Sequence, residues 1–167
     1  MDFDAFLNRA WDEHASDTAA VAARLAAEGP GLVATGAQIA PLANLVHHVF
    51  GEHLGRWADG RALLRQLATL PCCTADGVAA AALARFQASL ALCEGSADER
   101  AAMSPPDRIR VTALAAAALA GRDTPRAITL FGQALAEADR AGLEAADPTH
   151  RALAVTANNL ACTLEEK

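Results

Sequence analysis

Three histidines and one glutamate between positions 47 and 53 have side chains that bind transition metals. They are His47, His48, Glu52 and His53. His48 and Glu52 are four residues apart and share one face of an α-helix, whereas His47 and His53 point elsewhere. Their order matches neither HExxH nor HxxEH. We expect no bound cofactor. The alternative is a metal site formed by His47, His48 and Glu52 with ligands from other helices.

The remaining histidines, His14 and His150, are the only further imidazoles that such a site could recruit. If these residues do not join the 47–53 segment, its histidines are interpreted as partly exposed or groove-lining side chains without a metal. The sequence contains no GxSxG, no SxxK and no glycine-rich phosphate loop, so no nucleophile or nucleotide site is indicated. We therefore expect a protein without catalytic activity.

Four cysteines complete the chemically reactive residues of the chain, and none of them forms a CxxC pair. Cys72 and Cys73 are neighbours, and neighbouring cysteines rarely satisfy the geometry of a disulfide. Cys93 and Cys162 are isolated along the chain. This usage is typical of reduced, mostly buried thiols in a reducing compartment.

The composition favours helices throughout the chain of 167 residues. Alanine occurs 44 times, whereas aromatic residues make up only 4% and tyrosine is absent. Alanine and leucine favour helices, while strands favour β-branched and aromatic residues. The net charge of −6 argues against a nucleic-acid partner. The acidic N-terminus and the absence of a long apolar run predict a cytoplasmic protein without a membrane partner.

Apolar periodicity and helix punctuation divide the chain into helices joined by short loops. The clearest start signal is Ser104-Pro105-Pro106-Asp107, which offers an N-cap, a proline in the first turn and an acid at the third helical position. The predicted segments are a hairpin at 1–31, helix pairs at 35–71, 75–103 and 105–142, and a terminal helix at 147–167.

The helix pair at 105–142 carries a fixed order of small and large residues: Leu114, Ala115, Ala127, Phe131 and Ala134. This order resembles the tetratricopeptide repeat, a 34-residue helix–turn–helix unit. The Asn-Asn-Leu-Ala run at 158–161, after an Asp-Pro linker, is similar to the longer repeats of kinesin light chains. The resemblance implies an all-α fold of about 7–8 helices, stacked as antiparallel hairpins in one superhelical domain over residues 1–167.

The resemblance also implies a function, which is a non-catalytic scaffold that binds a protein or peptide in a groove lined by the first helices of the repeats. Amides supply a donor and an acceptor, so they can read the main chain of an extended segment. Arginines near the groove could guide an acidic segment. The candidate groove residues are Asn158, Asn159, Thr112, Ala116, Arg108 and Arg151.

Two alternatives remain open at this stage. The 147–167 helix would lack the second helix of its repeat, which leaves an edge through which the chain could form a homodimer. The other alternative is a helical protein that binds a metal or a small ligand through His47, His48 and Glu52.

Overall fold

The computed structural model describes residues 2–96, 99–144 and 146–165. Over these ranges the chain is helical and contains no strand, which confirms the predicted all-α class. The chain divides into two compact units, Met1–Gln87 and Ala88–Lys167. No helix within the described ranges combines the length and apolar character needed to cross a bilayer.

Within the described residues, the first unit contains five α-helices, the first part of a sixth, and two segments of other helical type. Their bounds are α1 Phe3–Glu13, α2 Thr18–Leu32, a 3₁₀ turn Gly36–Gln38, α3 Ile39–Val46, a π-helix His47–His53, α4 Trp57–Ala68, α5 Pro71–Thr74 and the first part of α6 Gly77–Glu94. The π-helix continues directly from α3, so that the two form one rod. We call His47–His53 the π segment.

The core of the first unit lies between α2, α3, the π segment and α4, which pack against one another. Each helix contributes its apolar stripe. The buried residues include Val21, Leu25, Ile39, Leu42, Leu45, Val46, Val49, Phe50, Leu64 and Leu67. α1 packs on α2 through Phe3, Phe6 and Ala10. This packing holds the C-terminal end of α1 in place.

The second unit is built from the last part of α6, a 3₁₀ turn Glu99–Ala102, α7 Pro105–Leu119, α8 Thr124–Ala141 and α9 Thr149–Glu165. α7 packs against both α8 and α9. Its alanines are buried around most of the helix, and Ala115 and Ala127 are fully buried, which allows close approach of α7 and α8. Phe131 packs against a core cluster of Ile109, Ala113, Ala134 and Leu153.

Most helix boundaries agree with the punctuation, and one differs. The Ser104 hydroxyl accepts from the amide of Asp107 and caps α7 as predicted. The predicted hairpin at 1–31 closes on the sequence Gly-Pro-Gly, which favours a helix end, but α2 continues through these residues to Leu32. Gly29 and Pro30 are both buried there. Burial of this stretch therefore outweighs the helix-breaking tendency of proline.

Candidate metal centre

The C-terminal end of α1 supplies the first side chain of the site, His14. The side chain of Asp2 caps the helix by accepting from the amide of Ala5 at 2.8 Å. Trp11 and His14 are three residues apart and lie beside the buried stripe. The Glu13 carboxylate pairs with Arg9 at 2.8 Å and with Arg24 on α2, which anchors this end of α1. Its position is therefore fixed by packing and by ion pairs.

The π segment supplies two further histidines, His48 and His53. On an α-helix, residues five apart are separated by about 140° around the axis. In the π segment the backbone bonds instead run between residues five apart, as from the Leu54 amide to the Val49 carbonyl at 3.1 Å. The wider turn brings the rings of His48 and His53 to 4.5 Å between centroids. The sequence-based expectation that His53 points elsewhere is wrong for this reason.

The three imidazoles converge through the same ring nitrogen. The Nε2 atoms of His48 and His14 are 3.1 Å apart, and those of His53 and His48 are also 3.1 Å apart. The ligand atoms of all three rings lie within 4.8 Å of one another. We call these three residues the histidine triad. His14 and His48 are half-buried and His53 is exposed, so the triad is open to solvent on one side.

Hydrogen bonds on the far side of two rings fix which nitrogen carries the proton. His48 Nδ1 lies 2.8 Å from a Glu52 carboxylate oxygen, and His14 Nδ1 contacts the carbonyl oxygen of Trp11. A carboxylate and a carbonyl can only accept, so both Nδ1 atoms donate. In their neutral form these rings direct the Nε2 lone pairs at each other. Two lone pairs at 3.1 Å repel unless a proton or a cation lies between them.

Glu52 lies behind the triad, and its carboxylate contacts two histidines. Its carboxylate lies 2.8 Å from His48 Nδ1 and 3.5 Å from His47 Nδ1. Burial alone would raise the pKa of the Glu52 carboxyl. Hydrogen bonds from His47 and His48 and the charge of these rings outweigh that effect and lower the pKa to about 2. Glu52 is therefore ionised at neutral pH and can orient His48.

His47 does not belong to the triad. Its side chain is only 1% exposed, and its ring lies 5.5 Å from that of Phe86 between centroids. Trp11 instead forms one wall of the triad, since its ring lies 5.1 Å from that of His48 and 5.4 Å from that of His14. Of the three metal candidates taken from the sequence, His48 lies in the triad, Glu52 lies behind it, and His47 is part of the core.

The triad fits a transition metal with imidazole ligands. A tetrahedral zinc site with Zn–N bonds of 2.0–2.1 Å places its nitrogens about 3.3 Å apart. Two of the three Nε2–Nε2 distances are already close to this value. Zinc, copper and nickel accept imidazole, whereas calcium and magnesium prefer oxygen. The open side leaves a coordination position for water or a ligand, as in His₃ zinc sites.

The groove residues predicted from the repeat resemblance lie apart from the triad, in the second unit. Thr112 and Ala116 are buried, Asn158 and Arg151 are exposed and Asn159 is half-buried. Arg108 is half-buried and pairs with Glu137 at 2.6 Å. The burial of Thr112 and Ala116 leaves α9 as the more accessible part of the predicted groove.

The four cysteines all lie within the described ranges and form no disulfide. Burial raises the pKa of the Cys73 thiol, with smaller contributions from Cys72 and Asp76. A raised pKa disfavours the thiolate, which is the form that binds metals.

Comparison with known proteins gives no family for this chain. No protein-family model matches it, and no curated protein or solved structure is significantly similar to it. The geometry of the side chains is therefore the basis for assigning a function to this chain.

Proposed function

We propose that the first unit binds one divalent transition-metal ion through the Nε2 atoms of His14, His48 and His53. The observation that carries this proposal is the convergence of three imidazole nitrogens, two of which have lone pairs directed at each other. A cation between them replaces repulsion with three coordinate bonds. This ligand set differs from the one suggested by the sequence alone, which was His47, His48 and Glu52.

The outer contacts of the triad support a metal rather than a chance cluster. Metal-ligating histidines usually donate their second ring N–H to a carboxylate or a backbone carbonyl, which fixes the ring and raises its basicity. His48 donates to Glu52 and His14 to the Trp11 carbonyl in this manner. The proposal is for binding, without a catalytic step, in a reducing compartment such as the cytoplasm.

Titration with Co²⁺ tests both the stoichiometry and the geometry of the site. We expect one ion per full-length chain, with the visible absorption of a four-coordinate nitrogen and oxygen site and without thiolate charge-transfer bands. Competition with Zn²⁺ against a chromophoric chelator then gives the affinity. Thiolate bands, or the absence of stoichiometric binding, would contradict the proposal.

Two exposed histidines provide a matched pair of variants. His53→Ala removes a triad member, whereas His150→Ala removes an exposed ring in the second unit that contacts the Glu144 carbonyl. We expect His53→Ala to lose stoichiometric binding and His150→Ala to retain it. Equal affinities for the two variants would show that the bound ion lies elsewhere.

We also propose that the exposed face of α9 binds a protein or peptide, in keeping with the tetratricopeptide-like superhelix inferred from the sequence. Leu153, Thr156 and Leu160 face the core of the second unit. The opposite face presents Val155, Asn158, Asn159 and Cys162, of which Val155 is 51% exposed. An apolar side chain beside two amides is typical of a surface that contacts apolar side chains of a partner and hydrogen-bonds to its main chain.

Sedimentation at several concentrations tests whether the partner is a second copy of the chain. A dimer that Val155→Asp dissociates, and that Val78→Asp leaves intact, would place the homodimer interface on α9. Val78 is a suitable control because it is an exposed valine in the first unit. If the chain is monomeric, affinity capture with wild type and Asn158→Ala shows whether a different protein binds this face. Partners that bind both forms equally would contradict the assignment.

A further inference from the structure

The second unit contains a cavity whose walls carry an excess of positive charge. It lies between the 3₁₀ turn Glu99–Ala102, α7 and α8, and its volume is about 400 Å³. This size is within the range of small-ligand sites. The polar side chains that line it are Arg100, Arg108, Thr112, Gln133, Glu137 and Arg140.

Helical spacing places these side chains on two facing surfaces. Arg108 and Thr112 are four residues apart on α7. Gln133, Glu137 and Arg140 follow at intervals of four and three on α8, so they share one face of that helix. α7 and α8 pack against each other, and the cavity lies where their polar faces meet the 3₁₀ turn.

Hydrogen bonds hold two of the three guanidinium groups in place. Arg108 donates to the Glu137 carboxylate at 2.6 Å and to the Met103 carbonyl at 2.8 Å. Arg100 donates to the Thr112 hydroxyl at 2.8 Å, and this hydroxyl donates in turn to the Arg108 carbonyl. A site with prearranged donors loses little conformational entropy when a ligand binds.

Arginine outnumbers glutamate among the side chains that line the cavity. Three arginines and one glutamate give the lining side chains a net charge of about +2 at neutral pH, in a chain whose net charge is −6. Asp107 on the same helix is occupied elsewhere, with Ser104 at 2.8 Å and Arg110 at 3.9 Å. A surface with this excess of cationic side chains attracts anions.

We propose that this cavity binds a compact dianion, either a phosphate group or a dicarboxylate. The planar fork of an arginine matches both groups, since each presents two oxygens at the spacing of two N–H donors. Arg140 is an exposed residue of the lining, and its Nε donates to the Ala136 carbonyl. The site is independent of the histidine triad, so the two proposals can fail separately.

Isothermal titration of the full chain with inorganic phosphate and with malonate tests this proposal, at constant ionic strength. We expect saturable binding of at least one probe in the millimolar range or below, and no saturation with acetate. The probe that binds more tightly shows whether the cavity prefers a phosphate group or a dicarboxylate. If neither probe saturates, or if acetate binds equally well, the proposal is overturned.

Two exposed arginines supply the matched variants. Arg140→Gln removes a cavity cation, whereas Arg122→Gln removes an exposed cation between α7 and α8 that does not line the cavity. We expect Arg140→Gln to weaken binding of the preferred probe by about tenfold and Arg122→Gln to leave it unchanged. Equal losses in both variants would assign the signal to long-range charge and would overturn the cavity as the site.

Discussion

The two units of this protein concentrate opposite chemical groups by different means. In the first unit, imidazole lone pairs converge, which calls for a cation. In the second unit, three arginines line one cavity, which favours an anion. The triad depends on a departure from α-helical geometry and on a contact between His14 and His48, which are 34 residues apart. The arginine cavity uses ordinary spacing on regular helices. Regular helical spacing is therefore enough to place the arginines of the cavity on facing surfaces. The same spacing does not predict the histidine triad.

The largest expected effect separates the two sites by a single substitution. His48→Ala removes the central ligand of the triad, and we expect Zn²⁺ affinity to fall by more than about 100-fold, beyond the loss typical of an outer contact. Anion binding by the second unit should not change. Zinc competition and phosphate or malonate titration on the same sample measure both. A variant that loses both activities would show that the chain has unfolded or that the sites are coupled.

Acid should destabilise the first unit through Glu52. The folded pKa of this carboxyl, about 2, lies below its ordinary value of 4.5. The carboxylate therefore stabilises the folded state at neutral pH, and this contribution is lost as the pH falls from about 4.5 to 2. The difference corresponds to about 3 kcal/mol of unfolding free energy.

Urea unfolding of the metal-free chain across that pH range measures the effect. Glu52→Gln should flatten the decline, because the variant has no carboxylate to protonate. Glu28→Gln removes an exposed acid of the same unit and should leave the decline as in wild type. A Glu52→Gln curve parallel to wild type would contradict the hydrogen-bonded arrangement of Glu52 with the two histidines.

Glu52→Gln should also weaken metal binding, by about 10- to 100-fold, since outer-shell carboxylates contribute in this range. The amide can still accept from His48 but carries no charge, so the ring becomes a poorer donor to the metal. Zinc competition at neutral pH measures the loss. Affinity equal to wild type would indicate that Glu52 orients His48 without any electrostatic contribution.

The smallest expected effect is the loss of stability when one helix cap is removed from each unit. Asp2 caps α1, which carries His14, and Asp123 caps α8, which carries Glu137 and Arg140. Replacing either aspartate by alanine should cost about 1 kcal/mol of unfolding free energy. Urea unfolding measures both variants. A loss in one unit and none in the other would show that the uncapped helix is held by tertiary packing alone.

Regular elements of the fold were predictable from the sequence because their signals are local. The N-cap at Ser104 and the apolar stripe of α1 depend only on residues within a few positions of each other. The all-α class followed from the abundance of alanine and the scarcity of aromatic residues, and the structure confirms it. The hairpin superhelix stays a prediction.

The triad could be predicted only in part. His48 and Glu52 were paired correctly because α-helical and π-helical backbones both keep residues four apart near each other. His53 was misplaced because nothing in the local pattern distinguishes a π segment from an α-helix. His14 was named only as a further histidine that a metal site could recruit. Its approach to His48 comes from the packing of helices that are distant in sequence. The arginine cavity was not predicted, although two of its lining residues, Arg108 and Thr112, were named as candidates for a peptide groove.

The π segment has a consequence for how this site could arise or disappear. A π-helical stretch accommodates its residues over fewer turns than an α-helix, so its register differs from that of the α-helix by about one residue. Removing one residue between His48 and His53 would return the helix to 100° per residue and leave the two histidines four apart, on one face. The same five-residue spacing on a regular α-helix would instead turn His53 away from His48, although every ligand remained in the sequence. Presence of the histidines in a related chain would therefore not be sufficient evidence for the site, and their spacing would have to be read along with their identity.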